Sequence, residues 1–319
     1  MPINHTPLDK NSRENSKVDK EEKKEIIFTL SIPKYTFNDI VLSTEISEEI
    51  RSIIALDKYK DLIYEEWGLS AVIKGNKNIS INLYGYSGTG KTMTAHAIAS
   101  ELDKKLLLVN YSEIESKYVG ETSKNLVSLF SFAQYNDAII VFDEADALLS
   151  KRVTAMHTAA DVSVNQTRNV LLKILDDYQG IVIFTTNFIQ NFDHAFMRRI
   201  MSHIKFEMPD EKMRQKLWTH YLVDGLPLSC RKTELVDKLA VIDRVTGADI
   251  STAVLKAAIK AATDKRKLIS IDNLSSEINK IVAAKAVMKS DDLTVTSRRV
   301  SQEYVREKLG VGGIIDGNN

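Results

Sequence analysis

Short apolar runs alternate with amphipathic segments between residues 79 and 209 of this 319-residue chain. Short apolar runs are typical of buried strands, and apolar residues three and four positions apart are typical of helices. Strands that alternate with helices are the order of a parallel sheet covered by helices. The pattern predicts an α/β fold with strands at 79–84, 106–110, 138–142, 181–186 and 204–206, and with intervening helices that include 123–134 and 164–177.

The pattern changes near Pro209, because only helical periodicity follows. The helices predicted there are 211–223, 233–241, 247–264 and 272–288. Such a change marks a domain boundary, so we expect an α/β domain over 25–209 and a small helical domain over 210–290. The polar flanks predict a disordered tail over 1–24 and a C-terminal tail over 291–319 with a short helix.

Two further elements are predicted ahead of the first of these strands. Residues 26–32 are apolar enough for a short strand that Pro33 would close. A helix with apolar residues at helical spacing follows, and either Ser43 or Thr44 is its candidate N-cap.

A glycine-rich loop joins the strand at 79–84 to a helix. Its sequence is Gly85-Tyr86-Ser87-Gly88-Thr89-Gly90-Lys91-Thr92. Glycines let successive backbone N–H groups point at phosphate oxygens, and the helix N-terminus adds partial positive charge. Lys91 would reach the β- and γ-phosphates of a nucleotide, and the Thr92 hydroxyl would bind Mg²⁺. A glycine-rich loop without a ligand is the alternative, and the strand–loop–helix context argues against it.

Two carboxylates, Asp143 and Glu144, follow the apolar strand at 138–142. Carboxylates at a strand end can be incidental surface groups, but the glycine-rich loop at 85–92, which has the G-x-x-x-x-G-K-[ST] sequence of a phosphate-binding P-loop, favours a catalytic interpretation. One of them can hold Mg²⁺ opposite Thr92, and the other can polarise an attacking water. We assign the metal role to Asp143 and the general-base role to Glu144.

The charge balance lowers the case for a nucleic-acid partner. Lys plus Arg and Asp plus Glu both number 43, so no overall positive field attracts nucleic acid or an anionic membrane. The single cysteine, Cys230, cannot form an internal disulfide. We see no secretory signal and no apolar run near the roughly 18 residues that span a bilayer, so we expect a cytoplasmic protein without membrane insertion.

Four motifs resemble those of AAA ATPases in order and spacing. They are GYSGTGKT at 85–92, IIVFDEAD at 139–146, IVIFTTN at 181–187 and TGADI at 246–250. The resemblance covers about residues 36–290. It implies a RecA-like α/β domain with a helical lid, a hexameric ring, and the use of ATP to remodel protein substrates.

The resemblance also implies roles for residues around the phosphates. Asn187 matches a sensor that positions the hydrolytic water, although a turn-forming Asn at a strand end is the alternative. Arg198 and Arg199 match arginine fingers that reach the γ-phosphate of the neighbouring subunit. Their Arg-Arg form is similar to that of the microtubule-severing and ESCRT-disassembling branch.

At the adenosine end, Gly247 and Ala248 resemble the residues of the family that contact the nucleoside. Ile40 matches a residue that packs near adenine. Val41-Leu42 stand where the family usually has Gly-Gly, so the chain departs from the pattern at this point.

A pore loop is the remaining matched feature. Lys117, Tyr118 and Val119 resemble the aromatic-hydrophobic loop with which substrate-threading members grip a peptide. A ring of Tyr118 side chains would hold a polypeptide by apolar contact area, without regard to its sequence. A surface tyrosine in a turn is the alternative.

Together these motifs predict an ATP-hydrolysing motor with ATP and Mg²⁺ as cofactors. We expect a homo-hexamer that threads protein substrates through its pore, directly or through an adaptor. A nucleic-acid-linked AAA+ switch of the clamp-loader or transposition-helper type is one alternative, and the balanced charge argues against it. A nucleotide-dependent scaffold is another, and the Asp143–Glu144 pair argues against it. Within protein remodelling, a bacterial subgroup that acts on HORMA-domain proteins is one option.

Overall fold

The computed structural model describes residues 28–73, 78–110, 121–150, 159–187, 192–264 and 267–292. The strands in this part of the chain are β1 (Ile79–Gly85), β2 (Leu106–Asn110), β3 (Ile139–Asp143), β4 (Ile181–Thr186) and β5 (Ser202–Phe206). The α-helices in the same part are α1 (Thr44–Lys58), α2 (Lys91–Glu101), α3 (Glu121–Tyr135), α4 (Asp146–Leu149), α5 (Ala159–Asp177), α6 (His194–Arg199), α7 (Glu211–Tyr221), α8 (Lys232–Ala240), α9 (Gly247–Thr263) and α10 (Ile271–Asp292).

The described strands form one sheet in the order β2-β3-β4-β1-β5. Every neighbouring pair of strands is parallel. The predicted α/β class with a five-stranded parallel sheet is therefore confirmed for the described residues. Because all strands run the same way, the P-loop after β1 lies beside the carboxyl ends of β3 and β4, where polar side chains meet.

Helices cover both faces of the sheet. On one face, Phe142 and Phe184 stack with ring centroids 5.3 Å apart, in a cluster that also includes residues of α3, α5 and α6. On the other face, Ile50 of α1 and Ile98 of α2 pack against Ile81 of β1. These apolar side chains are buried, and this burial fixes the helices on the sheet.

After β5 the regular elements of the described residues are helices, as the periodicity predicts. Helices α7–α10 form the helical region, and its core surrounds the fully buried Trp218. Arg214 of α7 is also buried, and it donates to the carbonyls of Pro209 at 2.8 Å and Ala240 at 2.6 Å. These bonds tie the start of the helical region to the end of α8. The division into domains at residue 209 stays a prediction.

The strand predicted over 26–32 is wrong over its described part, 28–32. There, only Ser31 pairs, in an isolated antiparallel bridge with Leu106 of β2. Pro33 has no N–H, so it cannot continue the pairing on the C-terminal side of Ser31. For α1, the N-cap is Ser43, whose Oγ accepts from the backbone N–H of Ile46 at 3.3 Å.

The predicted tail over 1–24 lies outside the described residues, and so does the predicted tail over 291–319 except for 291–292, which are the last residues of α10. Within the described part, no helix is both long enough and apolar enough to cross a membrane.

Candidate functional site

Lys91 lies at the N-terminus of α2, where the P-loop ends. Its ammonium donates to the carbonyls of Gly85 and Tyr86, both at 2.9 Å, and to Asn187 Oδ1 at 3.0 Å. Three acceptors match the three donors of an ammonium group. Burial lowers the pKa of Lys91, and the nearby carboxylate of Asp146 opposes that shift. The side chain is thus held over the loop by contacts that favour its charged form.

Two glycines give the P-loop its shape. Gly88 has φ +77° and Gly90 has φ +99°, a left-handed backbone that other residues rarely adopt. A Cβ on Gly88 would lie 2.9 Å from Thr246 Oγ1 and 3.0 Å from the Cβ of Ala248, so only glycine lets α9 approach so closely. A Cβ on Gly90 would meet nothing within 4 Å, because that position faces open space. The loop is a cradle that fits phosphate groups at the N-terminus of α2.

Thr92 and Asp143 meet across the cleft between α2 and β3. The Thr92 hydroxyl donates to Asp143 Oδ1 at 3.1 Å. Thr185 of β4 donates its hydroxyl to the same carboxylate oxygen. Hydroxyl and carboxylate oxygens beside a phosphate cradle are the donors that Mg²⁺ prefers, so these residues fit a Mg²⁺–nucleotide complex.

Glu144 follows β3 in an unusual backbone conformation. Its φ is +52°, and its backbone N–H donates to Thr185 Oγ1 at 3.2 Å. The next N–H, that of Ala145, donates to the Thr185 carbonyl at 2.9 Å. Non-glycine residues with positive φ are uncommon and are often found at functional sites. The turn leaves the Glu144 side chain exposed on the wall of the cleft.

Asn187, at the end of β4, is held from two sides. Its side chain accepts from Lys91, and its backbone N–H lies 3.2 and 3.4 Å from the two carboxylate oxygens of Asp146. Asp146 therefore orients the residue that touches the P-loop lysine. Sequence reasoning assigned no role to Asp146 or Thr185. Their polar character at the ends of two apolar strands was the available signal.

The helical region closes the other side of the cleft. The backbone N–H of Ala248 donates to the Gly88 carbonyl at 3.2 Å, a direct bond between α9 and the P-loop. Thr246 and Asp249 cap α9, with the Thr246 N–H 2.8 Å from Asp249 Oδ2. This cap fixes the start of the helix that carries Gly247 and Ala248.

The cleft has a volume of about 1000 Å³. Most of the site residues predicted from the sequence line it together. They are Ile40, Ser87, Gly88, Thr89, Gly90, Lys91, Thr92, Asp143, Glu144, Asn187, Gly247 and Ala248. Gly85 and Tyr86 contribute through their carbonyls to Lys91. Val41 and Leu42, which replace the usual Gly-Gly, also line the cleft beside Ile40.

Arg198 and Arg199 do not line the cleft. They end α6, and their side chains differ in their contacts. Arg199 forms a two-pronged ion pair with Asp176, with Nε–Oδ1 at 2.8 Å and Nη2–Oδ2 at 2.9 Å. Arg198 is exposed, and its Nε donates to the His194 carbonyl at 3.4 Å. Both guanidinium groups therefore lie away from the chain's own P-loop.

The pore-loop residues Lys117, Tyr118 and Val119 lie outside the described residues, so their role stays a prediction. The described chain resumes at Glu121, the first residue of α3.

A P-loop, an acidic strand end and a helical region around one cleft define a P-loop nucleotide hydrolase with a helical lid. The sequence model of the ATPase family associated with various cellular activities (AAA) matches residues 81–208. Proteasome-activating nucleotidase of Saccharolobus solfataricus is 31% identical over 275 residues, which are 83% of this chain and 68% of that protein. The chain belongs to the AAA ATPase family.

Two eukaryotic relatives extend the comparison. The 26S proteasome regulatory subunit 4 homolog of Schizosaccharomyces pombe is 32% identical over 247 residues, or 75% of this chain and 53% of the relative. The probable 26S proteasome regulatory subunit 4 of Caenorhabditis elegans is 28% identical over 260 residues, or 79% and 57%. These findings confirm the resemblance, the ATPase activity and the protein-remodelling interpretation predicted from the sequence.

Proposed function

We propose that the cleft binds ATP with Mg²⁺ and that five of its residues carry the hydrolysis. Lys91 and the P-loop N–H groups bind the β- and γ-phosphates, while Thr92 and Asp143 hold Mg²⁺. When bound, Mg²⁺ neutralises charge that develops on the phosphates. Glu144 accepts a proton from the attacking water, and Asn187 helps to position that water. The observation that carries this proposal is the set of direct bonds joining Lys91 to Asn187 and Thr92 to Asp143 within one cleft.

The adenosine end of the nucleotide belongs, in this proposal, between Ile40 and the start of α9. Gly247 is buried there, and a Cβ added to it would lie 3.3 Å from Leu217. The bond from Ala248 to Gly88 gives the helical region a direct contact with the phosphate cradle. A change at the phosphates can thereby reach the proposed lid domain, residues 210–290, through one hydrogen bond.

We further propose that the work is done on polypeptides by a homo-hexameric ring. The relatives are named for the proteasome, so a protein substrate fits their names. The equal numbers of acidic and basic residues do not favour nucleic acid. Tyr118 would line the pore of the ring and grip the substrate. A HORMA-domain client remains one specific form of this proposal.

Replacing Tyr118 with alanine should abolish substrate capture and leave ATP binding intact. The assay uses the Glu144→Gln protein, which is expected to hold ATP, as bait in a lysate of the native host with ATP and Mg²⁺. Bound proteins are identified by mass spectrometry. A protein captured by this bait and lost from the Glu144→Gln/Tyr118→Ala bait would be a threaded client.

The matched control is Tyr135→Ala, since Tyr135 is 90% exposed at the end of α3 and its loss should change nothing. Capture of nucleic acid, or of proteins indifferent to Tyr118, would favour the switch or scaffold alternatives. A loss of nucleotide binding in Tyr118→Ala would mean that the tyrosine is structural.

Arg198→Ala should lower ATP turnover by at least about 100-fold, because a guanidinium at the γ-phosphate supplies that much or more in related chemistry. The nucleotide Kd should stay near the parent value, since Arg198 lies outside its own cleft. Mixing Arg198→Ala with Glu144→Gln subunits should restore part of the turnover, because each supplies what the other lacks. The control is Arg51→Ala, an exposed arginine on α1. Absence of any restoration on mixing would contradict the trans role.

A further inference from the structure

The interior strand β1, which lies between β4 and β5, carries a polar face that the nucleotide site does not use. Strands buried on both faces of a parallel sheet are ordinarily apolar throughout. In and just before β1 every second residue is polar, and Asn78, Ser80 and Asn82 are only 4%, 0% and 0% exposed. A buried polar group is unfavourable unless it is hydrogen-bonded. The hydrogen-bonding partners of these side chains therefore indicate what this face of β1 does.

Ser80 binds the backbone that follows α6. Its hydroxyl donates to the Arg199 carbonyl at 2.9 Å. The Met201 N–H donates to the Ser80 carbonyl at 3.0 Å and lies 3.2 Å from Ser80 Oγ. Ser80 thus holds the chain on both sides of Ile200, directly after the two arginines.

Helix α6 depends on such anchors, because it has only six residues. Its N-terminus is capped by Asp193, whose Oδ1 accepts from the Ala195 N–H at 2.8 Å. Near its other end, His203 Nε2 donates to the Met197 carbonyl at 3.3 Å. Bonds at both ends therefore set the position of α6 on the sheet.

The same polar face also holds the partner of Arg199. Asn78 donates its side-chain amide to the Leu175 carbonyl at 2.6 Å. The next residue of α5, Asp176, forms the ion pair with Arg199. Asn78 and Ser80 therefore bind the two segments that meet at the arginine side chain.

We propose that Ser80 is a positioning residue for Arg198 and Arg199. It fixes them to β1, the strand that runs straight into the P-loop at Gly85. A movement of the P-loop strand in one copy is then carried to the arginines that this copy presents to its neighbour. The inference rests on the proposed trans role of the arginines.

The test uses the mixture of Arg198→Ala and Glu144→Gln subunits, and it adds Ser80→Ala to only one of the two subunits at a time. The acceptor subunit carries Arg198→Ala and hydrolyses only with a neighbour's arginine. The donor subunit carries Glu144→Gln and supplies the arginine without hydrolysing. Ser80→Ala in the donor should lower the restored turnover about fivefold or more, the loss expected for one neutral hydrogen bond. The same change in the acceptor should alter it less than about twofold.

A residue that merely stabilises β1 would give equal losses in both subunits, or a larger loss in the acceptor, and either result would overturn the proposal. Ile81→Val is the matched control, because Ile81 is buried on the other face of the same strand, in the cluster with α1 and α2. Thermal unfolding verifies that each variant is folded. Ser80→Cys replaces the hydroxyl with a thiol, which is a weaker hydrogen-bond donor in a side chain of similar shape. It should cause an intermediate loss of restored turnover, and only when it is placed in the Glu144→Gln subunit. The mixture of Arg198→Ala and Glu144→Gln subunits, both with Ser80 intact, tests the trans role of the arginines by itself. If that mixture restores no turnover, the trans role fails, and this inference fails with it. That result differs from equal losses caused by Ser80→Ala in either subunit.

Discussion

Glu144→Gln should hydrolyse ATP at least about 100-fold more slowly than the parent and still bind it with a similar Kd. The amide cannot accept the proton of the attacking water, and a positioned general base contributes about 10²–10⁴-fold. Binding should persist because glutamine has nearly the same volume and the Glu144 side chain is exposed on the cleft wall. Steady-state phosphate release measures turnover, and titration with a fluorescent ATP analogue measures affinity.

Glu101→Gln supplies the matched control for this change. Glu101 lies at the far end of α2, exposed and 3.3 Å from Lys58, so the same loss of charge there should leave turnover unchanged. Parent-like turnover in Glu144→Gln would show that another group activates the water. Loss of ATP binding instead would assign Glu144 to the nucleotide cradle.

The hydrogen bond that the Glu144 backbone N–H donates to Thr185 Oγ1 gives this assignment a structural basis that the sequence alone lacked. Glu144 keeps its positive φ because Thr185 binds both it and the next residue, Ala145. Thr185 also binds the carboxylate of Asp143. One residue of β4 therefore positions the proposed metal ligand and the proposed base together.

The sheet could be predicted from the sequence because its strands are short apolar runs with polar ends. The P-loop could be predicted equally well, since its glycines, lysine and threonine lie within eight consecutive residues, directly between a strand and a helix. The segment 26–32 has a similar apolar character, yet its described part forms one bridge at Ser31. An apolar pattern shows that residues can pair, but it does not identify a partner strand, and Pro33 cannot continue the pairing after Ser31.

The supporting contacts of the site could not be predicted, because they join residues far apart in sequence. Asp146 and Asn187 are 41 residues apart, and Ser80 and Arg199 are 119 apart. Such pairs follow from the order β2-β3-β4-β1-β5, in which β1 inserts beside β4. Polar residues in the buried strand β1 were a signal, but their partners become visible only in the folded chain.

Lys91→Ala should weaken ATP binding by at least about 100-fold, or about 3 kcal/mol. The ammonium is buried over the loop, where its charge-assisted hydrogen bonds to phosphate oxygens would be strong. Its present acceptors, the carbonyls of Gly85 and Tyr86 and the amide of Asn187, show that it reaches the mouth of the cradle. Isothermal titration calorimetry with ATP and Mg²⁺ measures the loss, and circular dichroism verifies the fold.

Lys104→Ala is the matched control. It shows whether the loss of ATP affinity is specific to Lys91 or follows from removing any lysine next to α2. Lys104 follows the C-terminal end of the same helix and pairs with Asp57 at 3.6 Å and Asp137 at 2.6 Å. Its removal should lower stability slightly and leave the Kd unchanged, because it lies outside the cleft. If Lys91→Ala bound ATP as the parent does, the phosphates would have to lie elsewhere, and the roles of Thr92 and Asp143 would fall with it. If both variants lost affinity equally, the effect would come from weakened α2 packing and not from a phosphate contact.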